Sequence, residues 1–183
     1  MTVMEAIEAR RAYRSLQAAE AGEALARDLS RAASLAASCF NHQPWRFVFA
    51  YEPVALERVK GSLSKGNRWA QAASLVIAAC SRRDLDCPNP GRELFAFDTG
   101  MAAAFLILRA TELGLVAHPI AGYDEDKVRE ALGIPADMAV IALVIVGRHL
   151  LPASDLLSPA QKEGEAKRPE RKPLEEIMRL NRF

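Results

Sequence analysis

Three cysteines, Cys39, Cys80 and Cys87, are all that the 183 residues carry, and no two form a Cys-x-x-Cys pair. Their odd number and irregular spacing exclude a thiolate zinc module or a secreted disulfide framework, and predict free thiols in a reducing, cytoplasmic setting. Net charge is nearly absent too, 24 Lys+Arg standing against 23 Asp+Glu. A balance this small gives no global field to draw the chain to nucleic acid or to an anionic membrane, so neither is expected as a partner. The longest unbroken apolar run, residues 138–146, is too short to span a bilayer and reads as a buried strand. The opening MTVMEAIEARRAYR has early acids and no apolar centre, unlike a signal or transit peptide.

Chemical motifs are equally scarce. No Gly-x-Gly-x-x-Gly follows a strand, and in GSLSKGN the phosphate-loop lysine position is taken by Asn67. His42, His118 and His149 are scattered, so no metal site is expected. Cys39 and His42, three apart, could form a thiolate pair, but nothing nearby orients them for nucleophilic work. No Ser/His/Asp arrangement presents itself either. Side chains alone therefore offer no reaction.

What is present is a core. Half the residues are hydrophobic, which suits one domain, residues 1–183, divided into a body (1–151) and a C-terminal arm (152–183). Helices are predicted over 3–11, with Val3, Met4 and Ile7 on one side, and over 21–37, with Leu25 and Leu29 four apart. Further helices are predicted over 53–63, opened by Pro53, and over 124–132, capped by Asp124 and closed by Gly133. The longest, 94–113, is apolar nearly all round and must be buried in the core or against a second chain. Strands are predicted at 46–51, where apolar residues alternate, at 74–81, continuously apolar and so covered on both faces, and at 139–147. From 152 to 173 the chain turns polar and reads as an extended arm or loop. Residues 174–180, apolar again, form a last short helix or join a sheet. An arm ending in hydrophobic residues suits a homodimer.

Two stretches remain unexplained by packing. In CFNHQPWRF, three polar residues, Asn41, His42 and Gln43, stand in a row immediately before a strand. Arg10, Arg11 and Arg14 cluster at the end of the first helix, where cations suit the helix dipole, and KRPERKP adds a second basic cluster. Guanidinium forks suit phosphate oxygens, so a bound phosphate group is the functional alternative to solvated charge.

The order RRAYR, SCFNHQPWRF, FDTGMAAAFLILRATELGL, PIAGYDEDKVREALGIP, VIVGRH and RKPLEEI resembles the FMN-dependent nitroreductase family along nearly the whole chain. Asn-x-Gln-Pro-Trp-x-Phe and Pro-Ile-x-Gly-Tyr ahead of Leu-Gly-Ile-Pro are the most specific pieces. The resemblance implies an α+β (α/β three-layer) fold: a central, mostly antiparallel sheet flanked by helices, with the C-terminal arm exchanged in a homodimer. It also implies FMN as cofactor, NAD(P)H as electron donor and a small-molecule oxidant. Arg10 would meet the phosphate, with Arg11 and Ala12 beside it in the cofactor-binding motif, Arg14 would meet the ring edge or ribityl, and Arg171, or Arg168 nearby, would close on the phosphate. Ser38, Cys39 and Asn41 would line the flavin, with Gln43, Pro44 and Trp45 shaping that loop, and Trp45 itself is expected to be core. Asn67 would offer an amide to the pyrimidine edge, and Pro119, Ile120, Ala121 and Gly122 would form the turn whose backbone N–H groups face flavin N5. No side chain is then catalytic.

Departures from the family pattern also matter. Ala12 stands where a serine is frequent, which removes one hydroxyl donor at a cost on the order of 1 kcal/mol. Ala37 and Cys39 replace a proline and a serine, and Ala121 replaces a frequent glutamate. The function implied is NAD(P)H oxidation with reduction of a nitroaromatic, quinone or related electrophile through flavin N5. The alternative is a flavin-binding protein without reductase turnover, which stores flavin or uses it as substrate. A cofactor-free helical dimer would leave the polar stretch before the strand without a role.

Overall fold

The apolar run at 138–146 becomes the strand around which everything else is arranged. The computed structural model describes residues 1–88 and 90–183. In it β5 (Ala139–His149) pairs antiparallel with β3 (Leu75–Ser81), β4 (Val116–Ile120) and the two-residue β1 (Leu16–Gln17). β2 (Arg46–Ala50) pairs antiparallel with β3 and closes the far edge. The register shifts between Ala79 and Cys80, where Ala79 faces Ala142 and Cys80 faces Val140, so β5 bulges there.

Every residue of β3 is buried, because the strand is covered on both faces as its unbroken apolar run predicts. Val76, Ala78 and Cys80 pack with Leu56 and Val59 of α3 (Pro53–Lys60), Val128 of α5 (Glu125–Leu132) and Trp69. Leu75 and Ile77 pack with Leu29 and Ala33 of α2 (Glu23–Ser34) and with Ala102 and Leu106 of α4 (Leu94–Glu112). Helices, sheet and helices make three layers, and the fold is α+β with an open antiparallel sheet.

Local signals set the helix ends. The Asp124 side chain accepts a hydrogen bond from Lys127 N–H, and Gly133, at φ +65°, ends α5 in the left-handed region that glycine tolerates. α4 stops before Gly114 at φ +72°. By length and composition α4 could cross a membrane, with a mean hydropathy of 1.4. In this fold its Ala102, Leu106 and Ala110 face the core, while Phe97 and Phe105 remain exposed. α1 (Val3–Ala9) opens with a capping box between Thr2 and Glu5. Only Ala6 of it is buried; Val3, Met4 and Ile7, its apolar side, face outward in the single chain.

Two expectations are corrected. The cysteines are not all free: Cys39 and Cys87 form a disulfide with Cα atoms 6.1 Å apart, and only Cys80 is a free, buried thiol. No spacing rule reaches across a separation of 48 residues, and the argument for a reducing compartment falls with the pairing. The segment after Pro152 is not wholly extended, since α6 (Pro159–Ala166) forms on a capping box of Ser158 and Gln161 with proline at its first turn. It also buries Leu157 and Glu165. α7 (Leu174–Ile177) is a single turn whose Leu174 and Ile177 are exposed.

Candidate functional site

α1 ends at Ala9, and the chain then runs extended through Arg10–Ser15 into β1. This short segment is held from below by a residue that sequence reasoning did not single out. Buried Glu165 of α6 accepts hydrogen bonds from the backbone N–H of Arg14 (2.7 Å) and of Ser15 (3.2 Å). His149 Nε2 lies 3.4 Å from the same carboxylate, and its ring stacks on Tyr13 at 3.7 Å. Nothing in the polar run around Glu165 marks it, because its partners are main-chain groups 150 residues away.

The arginines divide by what they touch. Arg11 donates to the carbonyls of Gly164 (3.4 Å) and Glu165 (3.3 Å), and its guanidinium lies 4.5 Å over the Tyr13 ring. Arg168 donates to the carbonyls of Glu8 and Arg10. Both therefore tie α6 and its exit to the Arg10–Ser15 segment. Arg10 is half-buried, and its pKa is lowered first by burial and then by the like charges of Arg168 and Arg171. Among the described residues, neither the Arg10 nor the Arg171 side chain donates to any protein acceptor. Two guanidiniums without a protein acceptor near a third cation, Arg168, make a patch of positive charge suited to an anion.

The same region continues across β4. His118, buried on that strand, hydrogen-bonds the Tyr13 carbonyl through Nδ1 at 3.0 Å and stacks on Trp69 at 4.7 Å. Burial is the main cause that lowers its pKa, with Arg14 and Arg10 adding to the effect. A histidine between apolar residues just before Pro119-Ile120-Ala121-Gly122 was the available signal for this position. Trp69 Nε1 donates to Asn67 Oδ1 (3.3 Å), and Asn67 Nδ2 donates to the Gly122 carbonyl (2.8 Å). Ser64 N–H donates to that carbonyl as well, at 3.0 Å. The amide of Asn67 is thus engaged in bracing the turn. Gly122 is required for this closeness, since a Cβ there would stand 2.6 Å from Asn67 Nδ2 and 2.7 Å from Ser64 Oγ. Pro119 and Ala121 are exposed, Ile120 is buried, and Ala12 is exposed. Among the described residues, no protein acceptor takes the Ala121 or Gly122 N–H.

The polar loop lies elsewhere in the chain. Phe40, Asn41 and Gln43 have φ of +46°, +60° and +49°, a cluster of non-glycine residues in the left-handed region. Such strain persists only where surroundings impose it, and it marks functional segments. Here Cys39 N–H donates to Asp98 Oδ2 (2.8 Å), and Gln43 N–H donates to Ser38 Oγ (2.9 Å). Asn41, His42 and Gln43 are exposed, Phe40 is 89% exposed, and Trp45 is core on the α2/α4 side. β2 is three strand steps from β4, on the order of 14 Å. One chain therefore carries two separate groups: Arg10, Arg11, Arg14, Asn67, Ala121, Gly122, Arg168 and Arg171 in one region, and Ser38, Cys39 and Asn41 in the other.

Residues 50–148 match the model of the Nitroreductase family. A relative from Mycolicibacterium smegmatis, an uncharacterised 15.4 kDa protein, is 38% identical over 90 residues, which cover 49% of this chain and 58% of that one. An NADH dehydrogenase from Thermus thermophilus is 27% identical over 170 residues, covering 75% of this chain and 82% of its own. Among solved structures, an oxidoreductase containing FMN superposes with a TM-score of 0.85 at 28% identity, covering 97% of this chain and 91% of that one. The family match spans more than half of the chain and includes β3, α4, β4 and all but the last residue of β5, with the turn at Gly122 and the Asn67 brace. The chain belongs to the nitroreductase family of oxidoreductases.

Proposed function

We propose that the chain is an FMN-dependent NAD(P)H oxidoreductase, working as a homodimer on a nitroaromatic, quinone or related small electrophile. The observation that carries this reading is the gathering of Arg10 and Arg171, both without a protein acceptor among the described residues, beside Arg168. Bringing like charges together costs free energy unless an anion completes the group, and a phosphate monoester fits a guanidinium fork. The donor set fits FMN: arginines for the phosphate at one end, and free backbone N–H groups of Ala121 and Gly122 at the other.

When bound, FMN would supply the hydride-transfer chemistry between NAD(P)H and a small oxidant. The protein's share is positioning and electrostatics. Arg10 and Arg171 would hold the phosphate, and Arg168 and Arg11 hold the segment that carries Arg10. Arg14 would offer its guanidinium to the ring edge and steady negative charge developing there. Asn67 and Ser64 fix the Gly122 carbonyl, which keeps the N–H groups of the turn aimed at one place.

Ser38, Cys39 and Asn41 belong to the same site in this reading, contributed by the partner chain. The exposed apolar residues support pairing: Val3, Met4 and Ile7 of α1, Leu35, and Phe97 and Phe105 of α4 lie on the surface of one chain. The tail from α7 onward, with Leu174, Ile177, Leu180 and Phe183 exposed, is the part of residues 152–183 that reaches the second subunit. Steady-state kinetics of the FMN-loaded protein with NADH or NADPH and a quinone or nitroaromatic test the proposal. Parallel double-reciprocal lines are expected. A protein that binds FMN yet oxidises neither nicotinamide at a rate above free FMN refutes it.

A further inference from the structure

Outside the Arg10–Gly122 region, one cluster joins Cys39 to two residues, Asp86 and Cys87, that the redox reading does not use. The sulfurs of Cys39 and Cys87 and a carboxylate oxygen of Asp86 all lie within 4.8 Å of one another. Asp86 is 6% exposed; its Oδ1 accepts from Cys87 N–H at 2.7 Å, while its Oδ2 is buried with no hydrogen-bond partner. A buried carboxylate oxygen without a partner is costly and calls for a cation or donor to complete it. Among the described residues no donor bonds this oxygen, and the two sulfurs share the cluster with the Asp86 carboxylate.

We propose that Cys39, Asp86 and Cys87, once the disulfide is reduced, form a three-ligand site for a thiophilic divalent cation of the Zn2+ class. A small-molecule thiol pair supplies the two electrons, or a phosphine does, becoming its oxide with the oxygen of one water whose two protons pass to the sulfurs. Two R–SH become R–S–S–R, the Cys39–Cys87 bond breaks, and each sulfur takes up one proton. Zn2+ then displaces both protons to solvent as two Zn–S bonds and one Zn–O bond form. Zinc at about 2.3 Å from each sulfur holds a thiolate pair roughly 3.8 Å apart in tetrahedral geometry, inside the present spread of the cluster.

The backbone stays in place without the covalent link. Cys39 N–H remains bonded to Asp98 Oδ2 (2.8 Å) and Cys87 N–H to Asp86 Oδ1 (2.7 Å), so both sulfurs stay near the Asp86 carboxylate after reduction. Two thiolates and one carboxylate around Zn2+ leave a net charge of −1. The adjoining cavity of 820 Å3 is lined by Arg82, Arg83 and Arg92 along with Asp86 and Cys87, so cations are at hand to offset it. That cavity also leaves room for water as the fourth ligand, the mark of an exchangeable rather than a closed zinc site. Cys39 is shared with the flavin reading, but binding of Zn2+ or Co2+ by the reduced cluster needs no bound FMN, so its failure and the failure of that reading are told apart.

The full-length protein decides it. Protein reduced with a phosphine and freed of excess reductant under argon is titrated with Zn2+ against a chromophoric chelator, beside the untreated disulfide form. The expected result is one Zn2+ per chain for the reduced form, none for the disulfide form, and loss of binding in Cys39→Ser and in Cys87→Ser. Asp86→Asn, which leaves the disulfide free to form during folding, weakens binding by roughly tenfold or more. Co2+ added to the reduced protein gives a thiolate charge-transfer band that Asp86→Asn shifts, a reading that does not depend on the cysteine variants folding. Absence of Zn2+ binding at micromolar concentration by the reduced form overturns the proposal. So does binding that survives oxidation, or a Co2+ spectrum without the thiolate band.

Discussion

Replacing Arg10 and Arg171 together by alanine should cost FMN its phosphate contacts and little else. A hydrogen bond between a guanidinium and a phosphate contributes about 1.5–3 kcal/mol, so two contribute about 3–6 kcal/mol if fully buried. Arg10 is only half-buried and Arg171 is exposed, so solvent screening moves the expectation to the lower end. At about 1.4 kcal/mol per tenfold, the loss is roughly a hundredfold in Kd. Folding should not suffer, because the burial and like charge that lower the Arg10 pKa are both relieved. The assay is quenching of flavin fluorescence, run with FMN and with riboflavin, which has no phosphate. The wild-type chain should prefer FMN by about that factor, and the double variant should bind both alike. A variant that still prefers FMN by the wild-type factor refutes the assignment of these arginines.

Other expectations concern the frame of the site. Glu165→Ala leaves the Arg14 and Ser15 N–H groups without their acceptor, which should lower stability by about 2–4 kcal/mol in urea unfolding; a loss below about 0.5 kcal/mol would contradict the bracing role. His118 is held below its ordinary value of 6.5, so the unfolded chain takes up a proton that the folded chain refuses. Its contribution is therefore intact above about pH 6.5 and declines as pH falls, by at most about 1.4 kcal/mol per unit, and His118→Gln should flatten that slope. Phe105→Asp places a charge on the exposed face of α4, and light scattering should show monomers that no longer retain FMN. A variant that remains dimeric removes that face from the proposed interface.

The elements that bury a continuous face were legible in the sequence, and those held by distant partners were not. β3 reads as doubly covered because all seven of its residues are apolar or small, and α5 announces both its ends through Asp124 and Gly133. β4 was missed because Pro119 argues against a strand; it is tolerated because β4 lies at an edge, paired only with β5. β1 is two residues long and has no periodicity to detect. α6 escaped notice because its buried residue is a glutamate satisfied by main-chain groups rather than a hydrophobic stripe. The candidate site was legible as a list of residues but not as an arrangement. Its local motifs name Arg10, Asn41 and Gly122 alike, whereas only the sheet order shows that the strained loop stands apart from the other two. The disulfide could not be read from spacing, since the fold alone brings Cys39 to Cys87.

The central claim is that this chain binds FMN and passes electrons from a nicotinamide through it. Its most direct test is the visible spectrum of the FMN-loaded protein under anaerobic conditions, before and after addition of NADH and then NADPH. The account predicts flavin bands that stay with the protein through gel filtration and bleach with at least one donor. A protein that returns colourless from gel filtration, or whose bands persist with both donors, contradicts it.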